Sequence, residues 1–418
     1  MLDSNDNLQG DERTGDGPRQ VTRREFVVGT AGVTLAILGA TAILSGCGSD
    51  DVSSDEIVPE EIEVSEDQVI NSSDFTEVDM STVASEVSGQ DLPMGCVGSM
   101  DCDDIAVMIY PGDTTDVLTQ MGLLSVSGGG LSSVLDRAVS HDDGFVIYDA
   151  RCNDNIIVWA EANLFDDRWR IYIASVRSAS NIGDPVKVDE GDSDFDVPML
   201  CVSGNNAFWT VMPTTDGGAK DSDSYLKCAS LANTTPQIAY TSSGRMITNP
   251  QASAGVVTIV PRAETKSTRY QMTAIDANTF DVLAAQILPS SMRAYDAIYI
   301  DGSFVFSIEQ SYSFGGGIAN FGTYAKIDDS RYMRFNRTPM DTPAKCGKYL
   351  AVKSSKSVVC LDLSAQTYFA IPTYAGCESY GDFLLSTGET SRIVTYTSVP
   401  TGDGSGDGVV RVRTYSLS

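Results

Sequence analysis

Residues 153–159 read N-D-N-I-I-V-W, a polar turn that leads directly into a run of β-branched and aromatic residues. Asn and Asp favour turns, whereas Ile, Val and Trp favour strands, so this stretch predicts a turn that opens a β-strand. The same arrangement returns four times further along the chain, as G-N-N-A-F-W-T-V at 204–211, A-G-V-V-T-I-V at 254–260, D-G-S-F-V-F-S-I at 301–308 and C-G-K-Y-L-A-V at 346–352. The steps between the turns are 50, 51, 47 and 45 residues, counted at Asp154, Gly204, Gly255, Gly302 and Gly347.

Each repeat contains four strand-like runs. One strand precedes the turn and a second follows it; a third alternates polar and apolar residues, as at 225–231, and a fourth closes the unit, as at 237–240. Four short strands in every 45–50 residues are typical of a β-propeller blade, and a single blade cannot bury both of its faces. Two packed sheets are the alternative all-β fold, but a sandwich does not require a period near 48 residues. The sequence therefore predicts an all-β propeller.

The length of the repeating region sets the expected number of blades. At this period, residues 93–418 accommodate seven four-stranded blades. The expected units are 93–140, 141–194, 195–243, 244–290, 291–338, 339–374 and 375–418. Because the last unit has no fourth strand after Leu417, circular closure predicts that an N-terminal strand within 75–87 pairs with it and leaves no open edge.

Two runs of the second unit, I-I-V-W-A-E-A-N at 156–163 and R-W-R-I-Y-I-A-S-V at 168–176, resemble a blade of the TolB-like and WD-repeat-like propellers of exported bacterial proteins. The resemblance covers the repeat layout from about Asp142 to the C-terminus, and it implies a propeller fold. The repeats lack Gly-His and Trp-Asp dipeptide pairs, which argues against a true WD-repeat protein. They also lack the tryptophan-docking repeats expected of quinone-dependent dehydrogenase propellers.

The N-terminal region contains an export signal. Arg23 and Arg24 form a twin-arginine pair, followed by Phe26 and by an apolar run at 27–44. L-S-G-C at 44–47 then has the form of a lipobox that ends in Cys47. Residues 1–47 thus resemble the signal of a bacterial lipoprotein that the twin-arginine translocase exports in the folded state. The resemblance implies that Cys47 is acylated and that the lipid anchors the protein to the extracytoplasmic face of the cell membrane, at the cell surface.

A retained transmembrane helix is the alternative for residues 27–44, since all 18 residues are uncharged. Three glycines and four alanines make this stretch only mildly apolar, which is typical of twin-arginine signals. Residues 48–92 are acidic and poor in aromatic residues. Such a composition buries too little apolar surface to offset the entropy of ordering, so it predicts a disordered tether before a propeller domain at 93–418.

The charge of the chain limits its partners. Acidic residues outnumber basic ones by 57 to 28, and the formal net charge is −29. Nucleic-acid binding depends on basic side chains that neutralise phosphates, so we exclude nucleic acid as a partner. The lipid anchor, rather than electrostatic attraction, must hold the protein at an anionic bilayer. Cations, basic proteins and neutral glycans remain compatible with this charge as partners. Alternatively, the charge only keeps the protein soluble.

Eight cysteines follow Cys47. An even number in an exported chain permits disulfides, although a domain of this size does not need them. Cys96 and Cys102 are the first candidates for a disulfide because they lie close together in sequence. The other cysteines lie in or beside apolar strands, where buried free thiols are the usual outcome.

The content of reactive residues excludes several chemistries. His141 is the only histidine, which excludes zinc sites with several histidines, and no cofactor is predicted. It lies in S-H-D-D-G at 140–144, a predicted polar turn between blades, where a solvated side chain is favoured over the base of a Ser-His-Asp triad. Carboxylates are the remaining catalytic option, and Asp149, Glu161 and Glu309 are candidates because they lie at the ends of predicted strands. If they formed a glycosidase site, the three side chains would point into the central funnel around which the blades are arranged.

Residues 403–408, D-G-S-G-D-G, resemble the start of a calcium-binding loop, which makes Asp403 and Asp407 metal-ligand candidates. The twelfth position of that loop is Thr414 instead of the bidentate Glu, so a glycine-rich hairpin is favoured and no metal is predicted. A group of aromatic residues could line a glycan or peptide site, or pack between blades: Trp159, Trp169, Tyr172 and Trp209.

These observations favour a lipid-anchored, cell-surface propeller that acts as a binding or scaffold module for a surface protein or another ligand. A propeller supports many functions, so the fold alone does not assign a reaction. The alternative is a carbohydrate-active hydrolase or lyase that uses carboxylates in the funnel.

Overall fold

The computed structural model of the protein describes residues 57–112, 119–265, 268–313, 315–377, 381–400 and 408–418. The predicted export signal with Arg23, Arg24, Phe26 and Cys47 lies outside the described residues, as do Asp403 and Asp407. In the described ranges, no helix has the length and apolar character needed to cross a bilayer.

The first four strands belong to the N-terminal segment. They are β1 (Glu60–Glu61), β2 (Val69–Asn71), β3 (Thr76–Glu77) and β4 (Ala84–Pro93). Short 3-10 helices occur at Glu66–Gln68, Ser72–Asp74 and Met80–Thr82 in this segment, and at His141–Asp143 and Gly316–Ile318 later in the chain.

The strands of the described residues form seven sheets, and we call each sheet a blade and number the blades in chain order. Blade 1 contains β5 (Val97–Ser99), β6 (Ile105–Pro111), β7 (Thr119–Ser125) and β8 (Gly130–Leu135). Blade 2 contains β9 (Val146–Cys152), β10 (Ile156–Asn163), β11 (Arg168–Ser178), β12 (Asn181–Ile182) and β13 (Val186–Gly191). Blade 3 contains β14 (Leu200–Ser203), β15 (Asn206–Val211), β16 (Ser224–Ser230) and β17 (Gln237–Ser242).

The remaining blades continue the same pattern. Blade 4 contains β18 (Gln251–Ser253), β19 (Val256–Ile259), β20 (Gln271–Asp276) and β21 (Val282–Ile287). Blade 5 contains β22 (Asp296–Ile300), β23 (Ser303–Ile308), β24 (Gly322–Lys326) and β25 (Tyr332–Phe335). Blade 6 contains β26 (Ala344–Cys346), β27 (Tyr349–Lys353), β28 (Val358–Asp362) and β29 (Thr367–Ile371), with β31 (Gly388–Thr390) on β26. Blade 7 contains β30 (Phe383–Leu384), β32 (Ile393–Pro400), β33 (Gly408–Leu417) and β4.

The blades form a ring around a central axis. The first strands of successive blades contact one another, β5 with β9, β9 with β14, β14 with β18, and β18 with β22. A cluster of buried apolar side chains lies between each blade and the next, including blade 7 and blade 1. The strands of each sheet fall within one of the units expected from the repeat, except that β1 to β4 come from the N-terminal segment and β31 of blade 6 comes from the last unit. The prediction of an all-β propeller is confirmed.

The ring is closed by the pairing of its two ends. Strand β4 runs antiparallel to β33, from Val409 opposite Pro93 to Leu417 opposite Ala84. The predicted closure by an N-terminal strand is therefore confirmed, although the strand begins near the end of the expected window at 75–87 and continues beyond it. Closure leaves blade 7 without an unpaired edge at the point where the chain ends.

The predicted disorder of residues 48–92 is wrong for residues 60–92. Residues 57–83, which we call the belt, follow the outer edges of three blades, with β1 parallel to β21, β2 parallel to β25 and β3 parallel to β29. Ile62 and Phe75 of the belt are buried in the apolar clusters. Composition alone misses this segment because the edges that complete its hydrogen bonds belong to blades more than 200 residues away in sequence.

The aromatic residues and cysteines are part of the core. Trp159 is buried between blades 1 and 2, and Trp169 and Trp209 are buried between blades 2 and 3, so the packing interpretation holds for these tryptophans. The expected disulfide between Cys96 and Cys102 is absent, since both are free thiols. Cys96 is buried between blades 7 and 1, whereas the Cys102 thiol donates to the Ile105 carbonyl oxygen at 3.1 Å. The other six cysteines after Cys47 are free and buried.

Candidate ligand-binding site in the central channel

A cavity of about 400 Å³ lies on the propeller axis and is lined by residues of every blade except blade 3. Pockets of this size accommodate small molecules. Its charged side chains are Asp101, Arg151, Asp296 and Asp341. Asp296 begins the first strand of blade 5, and Asp341 lies three residues before the first strand of blade 6. The propeller topology thus brings side chains that are distant in sequence to one place.

Hydrogen bonds connect blades 4, 5 and 6 at this cavity. The Nε2 of Gln251 donates to Oδ1 of Asp296 at 3.1 Å and to the Thr342 hydroxyl at 3.0 Å. The Asp341 carboxylate accepts from the backbone N–H of Leu384 at 2.8 Å and from that of Thr342 at 3.1 Å. The acidic side chains are therefore held in fixed positions, as a preorganised binding site requires.

Three buried polar atoms of the cavity wall have no hydrogen-bond partner among the described residues. Asp296 is only 6% exposed, and its Oδ2 makes no hydrogen bond. Thr248 is 5% exposed, and its hydroxyl is also without a partner. Oδ2 of Asp101 is a third such atom, although Oδ1 of this carboxylate accepts from the Thr387 hydroxyl at 2.7 Å. Buried polar atoms are rarely left unsatisfied, so these atoms favour a bound molecule in the cavity.

Burial in the channel shifts the pKa values of the charged side chains that line the cavity. It raises the pKa of Asp341 to about 7 and also raises the pKa of Asp296. Burial raises the pKa of Asp101 too, although the nearby Arg151 guanidinium opposes this. Burial disfavours the Arg151 charge, but Asp149 and Asp101 outweigh it and raise the pKa of Arg151. A positively charged ligand would stabilise the ionised form of these carboxyl groups and offset the effect of burial on their pKa values.

The structure places the three predicted catalytic carboxylates in different surroundings, and none of them lines the cavity. Asp149 lies on β9 and forms an ion pair with Arg151 at 3.8 Å, so it is adjacent to the channel. Glu161 is completely buried and accepts from the backbone N–H groups of Val139 (2.6 Å) and Ser140 (2.9 Å). It also accepts from the Trp159 indole N–H at 3.0 Å. Glu309 is exposed beyond the end of β23.

Among the described residues, no group of three His, Cys, Asp or Glu side chains is arranged to hold a metal ion. The single histidine, His141, begins the 3-10 helix His141–Asp143 in the connection between blades 1 and 2 and does not line the cavity. The predicted polar turn at this position is therefore present as a short helical turn.

The sequence contains a signal for the cavity residues that the strand-end argument missed. Asp296 and Asp341 each lie six residues before the turn glycine of their own repeat, Gly302 and Gly347. The corresponding residue before Gly255 is Asn249, which also lines the cavity. One position of the repeat therefore faces the channel in blades 4, 5 and 6, and comparing the polar residues at that position would have identified the site.

The sequence matches no protein-family profile and no curated protein. The fold is similar to that of a prolyl endopeptidase, with a TM-score of 0.50 and 10% identity, over 78% of this chain and 47% of the peptidase. The chain thus spans about half the length of that enzyme. The β-propeller domain of the Trilobed protease from Pyrococcus furiosus gives a TM-score of 0.48 at 7% identity, over 73% of this chain and 91% of that domain.

BamB from Moraxella catarrhalis is a further similar structure, with a TM-score of 0.41 and 11% identity, over 79% of this chain and 99% of BamB. At these identities the similarity shows the propeller fold alone. The function of this chain must therefore be argued from its own residues.

Proposed function

We propose that this protein is a binding module whose ligand enters the central channel and contacts the Asp296 carboxylate. The observation that carries the proposal is the unpartnered Oδ2 of Asp296, an atom of a side chain that is 94% buried in the wall of a cavity of about 400 Å³. A buried carboxylate oxygen without a donor is costly, and a ligand that donates to it would remove this cost. The fixed positions of Gln251 and Asp341 support the same proposal.

We further propose that the protein is localised to the extracytoplasmic face of the cell membrane, where Cys47 is acylated after export by the twin-arginine translocase. The proposal rests on Arg23, Arg24, Phe26 and the L-S-G-C motif that ends at Cys47. We expect Cys47→Ser to move the protein from the membrane to the soluble fraction, and replacement of both arginines by lysine to block export. Membrane association of the Cys47→Ser protein after a high-salt wash would contradict the lipid anchor.

The binding function is tested by capture from cell-surface extracts. The immobilised protein should begin at Gly48 instead of Pro93, since strands β1 to β4 are part of the propeller. We expect the wild-type protein to retain a ligand that Asp296→Asn does not retain, because the substitution removes the charge and preserves the shape. Asp329→Asn is the matched control, since Asp329 is exposed and does not line the cavity. Equal capture by wild type and Asp296→Asn would contradict the proposal.

A second candidate function is a carbohydrate-active hydrolase or lyase, and one observation favours it. Asp296 and Asp341 line one cavity with raised pKa values, and paired carboxyl groups of this kind perform general acid and base catalysis. This pair replaces Asp149, Glu161 and Glu309 as the group to test. Turnover of a glycan by the wild type that is lost in Asp341→Asn would favour the enzyme over the binding module.

A further inference from the structure

We propose that the ligand of the central channel is an organic cation, a primary amine or a guanidinium group, which donates hydrogen bonds to Asp296. This inference rests on the proposed binding function and assigns the chemical class of its ligand. It depends on three features of the cavity. The unpartnered oxygen atoms accept hydrogen bonds, the lining carries more acidic than basic side chains, and the acidic side chains do not converge on one point.

The unpartnered atoms call for a donor. An ionised carboxylate accepts hydrogen bonds and cannot donate them, so Oδ2 of Asp296 requires an N–H or O–H group from a ligand. The Thr248 hydroxyl lines the same cavity and can also accept from a ligand donor. Hydrogen bonds between a cationic donor and a carboxylate are about twice as strong as those between neutral groups. An ammonium or guanidinium group therefore satisfies this wall better than a neutral hydroxyl.

The charge around the cavity is negative when its carboxyl groups are ionised. Asp101, Asp296 and Asp341 line the cavity, whereas Arg151 is its one cationic lining residue among those described. Arg151 is already paired with Asp149 at 3.8 Å. An anionic ligand would find Arg151 compensated, and it would be repelled by the remaining carboxylates.

The arrangement of the carboxylates favours an organic cation over a metal ion. No three acidic side chains in the described part of the chain converge as a metal site requires. The Gln251 amide approaches the Asp296 carboxylate with its donor Nε2 at 3.1 Å and not with its carbonyl oxygen. A divalent ion needs several oxygen ligands around it, whereas an ammonium group needs only two or three acceptors.

The test uses probes that share one carbon chain and differ in charge. Residues 48–418, which contain all the described sheets, are labelled at the methionine methyl groups and titrated with n-butylammonium, n-butanol, butyrate and calcium. Met340 lines the cavity, so its methyl signal, assigned with Met340→Leu, reports binding at this place. Asp296→Asn and Thr248→Val are compared with the control Asp329→Asn.

We expect n-butylammonium to shift the Met340 signal in a saturable way and Asp296→Asn to weaken this binding at least about tenfold. Thr248→Val should weaken it while leaving the fold intact, since the hydroxyl that it removes has no partner. Asp329→Asn should bind as the wild type does. Because Asn has nearly the shape of Asp, thermal unfolding of each variant separates lost binding from lost folding.

Other outcomes would overturn the inference. If n-butanol or butyrate shifts Met340 as strongly as n-butylammonium, or if Asp296→Asn keeps its affinity, the channel binds a ligand but not through its positive charge. A shift with calcium alone would make the site a metal site. Absence of any shift, together with successful capture of a ligand through Asp296 from extracts, would reject the small-amine assignment and leave the binding function standing. Failure of both experiments would reject both proposals.

Discussion

Asp296 and Asp341 are 45 residues apart in the chain, yet both carboxylates line the same cavity because each occupies the same position of its repeat. Burial raises the pKa of both, and the charge of Asp296 further opposes ionisation of Asp341. Gln251 of blade 4 donates to Asp296 and to Thr342, the residue that follows Asp341. Repetition of one blade position has therefore produced a preorganised acidic wall.

The first prediction concerns pH. The pKa of Asp341 is about 7, with Asp296 opposing its ionisation and the cationic Lys353 favouring it. Tyr295, Tyr396 and Arg151 also face this carboxyl group. Protonation removes the negative charge that attracts a cation, so the affinity for n-butylammonium should rise as the pH increases from about 6 to about 8. Titrations at several pH values measure this, and Asp341→Asn should flatten the profile. A profile in the wild type that falls with pH would contradict it.

The second prediction concerns Glu161, whose surroundings indicate a structural role. Its carboxylate accepts from two backbone N–H groups of the connection between blades 1 and 2 and from the Trp159 indole. Glu161→Gln places an NH₂ group against these donors and should lower the free energy of unfolding by about 1–3 kcal/mol. Urea unfolding measures this change. Binding of n-butylammonium by the folded variant should be unchanged, and its loss would indicate a role in the site.

The third prediction concerns the belt. Phe75 is 6% exposed and packs between blades 5 and 6. Phe75→Ala should lower the free energy of unfolding by about 3–5 kcal/mol, since it removes a buried ring and leaves a cavity. The matched control is Val58→Ala, because Val58 is 77% exposed. Chemical denaturation of both variants decides the question. Equal stability of the two would mean that the belt contributes little to the fold.

The fourth prediction concerns a buried ion pair beside the closure of the ring. The Arg413 guanidinium on β33 donates to Asp382 at 2.5 Å, and the Thr395 hydroxyl donates to the same carboxylate at 2.7 Å. Arg413→Met leaves this fully buried carboxylate without its cation and should cost about 3–5 kcal/mol of stability. Adding Asp382→Asn to Arg413→Met should recover part of the loss, and thermal unfolding of the single and double variants measures the coupling. Additive losses would show that the pair is not coupled.

The repeat predicted the blades well because blade formation depends on local sequence. The turn at Asn153–Asn155 and its equivalents place a tight turn between two strands, and the β-branched and aromatic residues that follow favour an extended backbone. The closure by β4 was expected from one missing strand in the last unit, a matter of counting that needs no knowledge of packing. The free Cys96 and Cys102 show the limit of this reasoning, since nearness in sequence does not fix the direction of two side chains.

The candidate site could be predicted only in part. The strand-end pattern identifies Asp149, which forms an ion pair with the cavity-lining residue Arg151. It does not identify Asp296 and Asp341, although both occupy the same position of their repeats. The proposed roles of Arg23, Arg24, Phe26 and Cys47 remain predictions from the motif, as do those of Asp403 and Asp407.

Local sequence patterns specify the all-β class, the repeat and the expected closure of the ring, because hydrophobic alternation and turn residues act over a few positions of the chain. The order of residues 60–92 depends instead on tertiary contacts, since the hydrogen-bonding partners of this segment are strand edges of distant blades. The tertiary structure likewise decides which of the many acidic residues meet at the axis. Burial and charge at such a place depend on the distances between blades, which no local pattern encodes.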